Sequence, residues 1–208
     1  DQILLENLNA IKLNYDPIDI SGKQLRENIE PKYLDQNVLK YIRSHYLYLD
    51  GQVRPYMNEH RFNHTKRVVE TAIDIAINCG YEALNKVIVA GYYHDICKQC
   101  NEKEILHICE KADKKNFPTW HTMHGLAASI IMEDKFGIRD REILNAVKNH
   151  CVPASSIDTL GKIIYLADKL EPARTKEDIP NRKKYLNLAY KDLDEAFKQV
   201  LKITQERY

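Results

Sequence analysis

Over the last three quarters of the chain, apolar residues return at steps of three and four, the spacing that keeps side chains on one face of a helix. The pattern predicts helices over 62–79, 83–96, 101–113, 122–136, 139–150, 156–170 and 182–204, separated by "NCGY", "NFPTW", "FGIRD", "CVPASS" and "EPARTKEDIP". Each break carries Gly, Pro or a capping residue. With only 7 Gly and 7 Pro and no internal repeat or low-complexity segment, the expected class is all-α.

The start of the chain reads differently. "LNYDPIDISGKQLRENI" is a Pro-bearing extended piece with a helix start at Ser21, and "LDQNVLKYIRSHYLY" forms a short amphipathic helix. That piece is too small for a core of its own. The expected organisation is therefore a small helical N-terminal extension, 1–49, and a helical bundle, 50–208.

Several apolar faces carry groups that are costly to bury. His64 shares a face with Val68, Ala72 and Ile75; His124 lines up with Ala127, Ala128 and Ile131; His150 follows Val147 and Ile143; and Asp168 follows Ile164 and Gly161. A fifth helix, "KVIVAGYYHDICK", ends in His94 and Asp95, which diverge by about 100° around a helix axis and so can face two neighbouring ions. A lone histidine on an apolar face is more often a satisfied core residue. Buried aspartates, however, are paired or metal-bound, and two of them coincide here with four inward histidines. Helix bundles build such carboxylate–imidazole sites in their cores, and this donor mix suits Fe, Mn or Zn rather than Ca or Mg. A dinuclear centre is the expectation.

Bulk properties narrow the setting. Lys and Arg number 31 against 30 Asp and Glu, for a formal charge of +1. No global field draws the chain to nucleic acid or an anionic membrane, so any phosphate binding has to be local. No apolar run approaches the roughly 20 residues of a membrane span and no signal-peptide pattern opens the chain, which makes the cytoplasm the default. Five cysteines are an odd number, read as reduced thiols. Cys97 and Cys100 have C-x-x-C spacing, but no second pair or strand–helix context supports a zinc or redox role.

The order His64, His94-Asp95, Asp168 resembles the HD-domain metal-dependent phosphohydrolases, with His124 and His150 as the extra histidines of the two-ion subgroup. "RFNHTKRV", "HDICK", "HGLAAS", "FGI…ILNAVKNH" and "KIIYLADKLEPAR" are similar to the YqeK family, the symmetrical dinucleoside-tetraphosphate hydrolases. That likeness spans about residues 54 to 200. It implies hydrolysis of diadenosine tetraphosphate to two ADP, with iron the usual ion and His64, His94, Asp95, His124, His150 and Asp168 as metal ligands, Asp95 bridging. Other HD nucleotide phosphohydrolases, such as nucleotidases or cyclic-nucleotide phosphodiesterases, and a catalytically silent nucleotide sensor remain alternatives. Separately, Ile20, Ser21, Arg26 and "YIRSHYLY" resemble the C-terminal tail of bacterial nicotinate-nucleotide adenylyltransferases, with Gly22 and Lys23 in place of Ser and Thr. With no initiator Met and no nucleotide-binding strands upstream, the expectation is a chain cut from a longer fusion.

A hydroxide held between two cations attacks phosphorus without a side-chain nucleophile. Lys98, four positions after His94 on a continuing helix, faces the centre and is expected to assist catalysis by neutralising the bridging phosphate. Arg67, three after His64, and Arg174, in the loop after Asp168, are further phosphate contacts. His121 and Asp178 are within reach in sequence but are not assigned. The chain departs from the family where a Thr-rich, Gly-containing turn is replaced by "NHCVPAS", so that a hydroxyl donor to nucleotide phosphate is either absent or supplied by Ser155 or Ser156, and where "HGLAAS" lacks a second glycine.

Overall fold

Side-chain caps start most of the helices. In the computed structural model, which describes residues 20–29, 31–154, 157–174 and 179–205, Asn58, Asn101, Asp140 and Asp158 each accept a hydrogen bond from a first-turn N–H. Each cap satisfies a donor that the helix leaves orphaned. The elements are α1 (Gly22–Glu27), α2 (Gln36–Ser44), α3 (Leu49–Val53), α4 (Glu59–Asn78), α5 (Leu84–Tyr93), α6 (Glu102–Ile108), α7 (His124–Phe136), α8 (Arg141–Asn149), α9 (Thr159–Leu170), α10 (Arg182–Ala189) and α11 (Leu193–Gln205), joined in places by short 3-10 turns. No strand occurs among the described residues, and none of their helices is long and apolar enough to cross a membrane.

Helix α9 is the hub. Leu160, Ile163, Ile164, Tyr165, Leu166, Ala167 and Leu170 are all buried, and the helix packs against α4, α5, α8, α10 and α11. Two glycines bring neighbouring helices close. A Cβ on Gly91 would meet Val69 Cγ2 at 2.9 Å, across the α4–α5 contact. On Gly125 it would meet the Val147 carbonyl at 2.7 Å and His150 Nδ1 at 2.9 Å, across the α7–α8 contact. Contacts this short are incompatible with a side chain, so glycine sets the helix spacing there.

Three expected helices need correction. The span 83–96 stops at Tyr93, and Ile96, Lys98 and Cys100 bond to carbonyls only three residues back. Lys98 therefore does not ride on a continuing α-helix. The span 101–113 ends at Ile108 in similar tight turns. The span 182–204 divides at Tyr190–Asp192, because the Asp192 carboxylate accepts from Glu195 N–H and starts α11 afresh. At the N-terminal end, Ser21 forms a capping box with Gln24, and Ile29 N–H donates to the Gly51 carbonyl. The expected boundary between 49 and 50 coincides with the first turn of α3, which packs on α1 and α5.

Candidate metal centre

Four imidazoles are oriented by the same logic. The Nδ1 atoms of His94, His124 and His150 lie 2.7, 2.6 and 2.7 Å from the carbonyls of Gly91, His121 and Val147, each three residues back. A carbonyl can only accept, so each Nδ1 carries its hydrogen and the neutral ring keeps a lone pair on Nε2. His64 reaches the same state through a side chain, its Nδ1 lying 3.1 Å from Glu171 Oε1. Backbone geometry assists: His94 and His150 are C-cap residues of α5 and α8, and His124 opens α7 after a 3-10 turn.

The four Nε2 atoms point at acceptors and at one another. His64 Nε2 is 3.1 Å from Asp168 Oδ1, and His124 Nε2 is 3.1 Å from His150 Nε2. Asp95 stands between the two groups. Its Oδ2 lies 3.9 Å from His64 Nε2 and 3.4 Å from His94 Nε2, while its Oδ1 lies 3.0 Å from His124 Nε2 and 3.5 Å from His150 Nε2. His94 Nε2, wholly buried, makes no hydrogen bond to any described residue. Buried lone pairs facing lone pairs and carboxylates repel unless a cation lies among them. The donors fall into two clusters on either side of Asp95, one of His64, His94 and Asp168 and one of His124, His150 and Cys151, a set that fits two transition-metal ions.

Protonation in the metal-free chain follows the same electrostatics. Burial alone would lower His64, His124 and His150; Asp168 and Glu171 beside His64, and Cys151 and Asp95 beside the other two, outweigh it and raise all three, His150 to about 10. For His94 burial wins and the pKa falls. Burial would raise Asp95 and Asp168, but His94, His124 and His150 hold the first, and Lys169, His64 and Arg174 the second, well below the carboxylate range. Protons occupy positions suited to metal ions.

Cations surround the carboxylates. Arg61 Nη1 is 2.7 Å from Asp95 Oδ2, Lys169 Nζ is 2.6 Å from Asp168 Oδ2, and Arg174 Nη1 is 3.1 Å from Asp168 Oδ1. Lys98 Nζ, on the exposed turn after α5, lies 3.5 Å from His124 Nε2. Arg67, expected on phosphate, instead pairs with Glu171 through Nε at 2.8 Å and Nη2 at 3.3 Å. Five cations thus accompany three carboxylates in a chain whose overall charge is +1. This cluster is a local concentration of positive charge that the net charge does not reveal.

Sequence reading overlooked Glu171, Arg61, Lys169 and Cys151. Glu171 stands three after Asp168, and Arg61 three before His64, so helical spacing was the available signal for both. His121 contributes its carbonyl to His124 rather than its ring, which stacks on Trp120 at 3.7 Å between centroids. Burial raises both Cys97 and Cys100, the opposite of what a reactive thiol pair requires. Ser155, Ser156 and Asp178 lie outside the described residues.

The HD domain family profile matches residues 61–173, a span that begins at Arg61 and encloses all six expected ligands and Glu171. The chain belongs to the HD-domain family. Within that family it is similar to a Mycoplasma genitalium protein named probable nicotinate-nucleotide adenylyltransferase/Ap4A hydrolase, with 33% identity over 193 residues that cover 91% of this chain and 55% of the relative. A Mycoplasma pneumoniae protein of the same name is 29% identical over 97% of this chain and 59% of its own length. The chain thus spans little more than half of each. A Staphylococcus aureus protein named bis(5'-nucleosyl)-tetraphosphatase, symmetrical, is 33% identical over 70% of this chain and 76% of that protein. A crystal structure of a predicted HD superfamily hydrolase involved in NAD metabolism from Clostridium acetobutylicum superposes with a TM-score of 0.64 at 25% identity, covering 84% of this chain and 89% of the other. The HD-domain hydrolases are metal-dependent, in agreement with the convergent donors.

Proposed function

We propose that this chain hydrolyses dinucleoside tetraphosphates, diadenosine tetraphosphate foremost, to two nucleoside diphosphates at a dinuclear metal centre. The observation that carries the reading is the meeting of four imidazole lone pairs around the Asp95 carboxylate. His64, His94 and Asp168 would hold one ion, His124 and His150 the other, and Asp95 would bridge them through its two oxygens. Iron is the proposed metal, with manganese and zinc also suited to imidazole and carboxylate. Two such ions supply an activated water and neutralise charge on the phosphoryl oxygens.

The remaining work falls to side chains. Lys98 and Arg174 sit at the edge of the centre and bind the polyphosphate chain, Lys98 as a point charge and Arg174 as a fork. Arg61 and Lys169 neutralise Asp95 and Asp168 in the metal-free chain, and with ions bound to those carboxylates they would be available to phosphate. Arg67 orients Glu171, and through it His64. Symmetrically named relatives support cleavage in the middle of the phosphate chain. The names of the two Mycoplasma relatives support residues 1–49 being the end of an adenylyltransferase-like region fused upstream, with 50–208 the phosphohydrolase. A cytoplasmic setting completes the proposal.

Product analysis tests it. Incubation of the metal-loaded protein with diadenosine tetraphosphate gives ADP as the sole nucleotide product, and Asp95→Ala abolishes turnover. Release of AMP with ATP, or cleavage confined to mononucleotides or cyclic nucleotides, contradicts the assignment.

A further inference from the structure

Beside the second ion's histidines stands a residue that the expected ligand set leaves out. Cys151 follows His150 directly, and its Sγ lies 3.1 Å from His124 Nε2 and 3.2 Å from His150 Nε2. The three donor atoms form one compact cluster, as His64, His94 and Asp168 do on the other side of Asp95. The geometry points to Cys151 Sγ as a direct sulfur ligand of the second ion, so that one metal is held by nitrogen and oxygen and the other by nitrogen and sulfur. This inference rests on the dinuclear reading and adds to it a ligand.

Both imidazoles spend Nδ1–H on backbone carbonyls, so in their neutral, metal-binding forms two lone pairs face each other at 3.1 Å. The thiol can donate its single hydrogen to only one of them. A cation satisfies all three donor atoms together. A tetrahedral ion about 2.0–2.1 Å from nitrogen and about 2.3 Å from sulfur would hold N and N about 3.3 Å apart and N and S about 3.6 Å apart. The observed 3.1, 3.1 and 3.2 Å need only a small expansion to reach that shape. Asp95 Oδ1, 3.0 and 3.5 Å from the two nitrogens, completes a four-donor set. As the metal–sulfur bond forms, the S–H bond breaks and its proton passes to solvent; no oxidant or reductant is needed.

Two structural features hold the sulfur there. The absence of a side chain at Gly125 lets α7 approach α8, bringing His124 to His150. Cys151 itself is part-buried, which shields its sulfur from bulk water and favours coordination. Thiolate is a soft donor, so the second position prefers zinc or iron to manganese, while the first, with imidazole and carboxylate alone, accepts all three.

The test uses the whole protein loaded with Co(II) or Zn(II). Cobalt loading is expected to produce a thiolate-to-metal charge-transfer band in the near ultraviolet, kept in the Cys97→Ser/Cys100→Ser double variant and lost in Cys151→Ser. X-ray absorption of the zinc form is expected to show a zinc–sulfur shell at about 2.3 Å. A readout that needs no variant is site-resolved alkylation of the wild-type chain, in which metal loading slows labelling of Cys151 by about tenfold or more and chelation restores it, as expected when the reactive thiolate is coordinated. Two bound ions with no sulfur signal and an unprotected Cys151 overturn this inference and leave the dinuclear reading standing. A band that survives Cys151→Ser but vanishes with Cys97 and Cys100 also overturns it. Failure to bind any ion sinks both.

Discussion

At the residue scale, the site depends on which atom of each ring is free. Glu171 is buried, its carboxylate held down to about 2, against the upward push of burial, by its bonds to His64 and Arg67. It therefore stays an acceptor and fixes the His64 tautomer. Glu171→Gln removes that charge and lowers affinity for the first ion about 10–100-fold, as is usual for outer partners of metal-bound histidine; isothermal titration of the metal-stripped protein measures the loss. The raised imidazoles give a second expectation. A ligand must shed its proton, so metal binding releases protons at neutral pH, and affinity rises with pH up to the His150 value of about 10 and levels off above it. In the metal-free chain the same raised pKa stabilises the fold fully below 6.5, a contribution lost as pH climbs through about 10. Titration in buffers of different ionisation enthalpy counts the protons; uptake instead of release contradicts the raised imidazoles. Sequence alone singled out the six converging side chains because each is a costly group on, or at the end of, an apolar face. It did not reveal Glu171, Arg61 or Cys151, whose roles depend on what folding places opposite them.

At the element scale, spacing between helices decides whether donors meet. The periodicity located most of the helical segments because their apolar faces are regular, and it missed the break before α11 because Asp192 and Glu195, a capping pair, lie inside an unbroken apolar repeat. It likewise carried α5 past Tyr93, where the chain turns tightly and presents His94 and Asp95 to the centre. The close approach of α7 and α8 at Gly125 was invisible in one dimension. Gly125→Ala forces a Cβ within 2.9 Å of His150 Nδ1 and 2.7 Å of the Val147 carbonyl, so the helices separate. The expected cost is about 1–3 kcal/mol of stability, typical of overpacking, together with a loss of metal at the His124–His150 pair that exceeds the loss at the His64–His94 pair. Denaturant melts and metal analysis of the variant report both; equal loss at the two positions would show that the contact has no local role.

For the molecule as a whole, the candidate centre draws its donors from α4, α7, the C-terminal cap of α8, α9 and the turn after α5, so bound ions would tie most of the bundle together. A ligand that binds only the folded chain stabilises it by about 2.7 kcal/mol at a hundred times its dissociation constant. For a chain of this size each kcal/mol moves Tm by about 2–4 °C, so chelation is expected to lower Tm by several degrees and re-addition of metal to restore it, read by calorimetry. The central claim is that Asp95 joins two ions in one site, and elemental analysis of the purified, metal-reconstituted protein tests it most directly. The account predicts two transition-metal equivalents per chain, falling below one in Asp95→Ala; a wild-type chain that retains none, or a variant that keeps both, would contradict it.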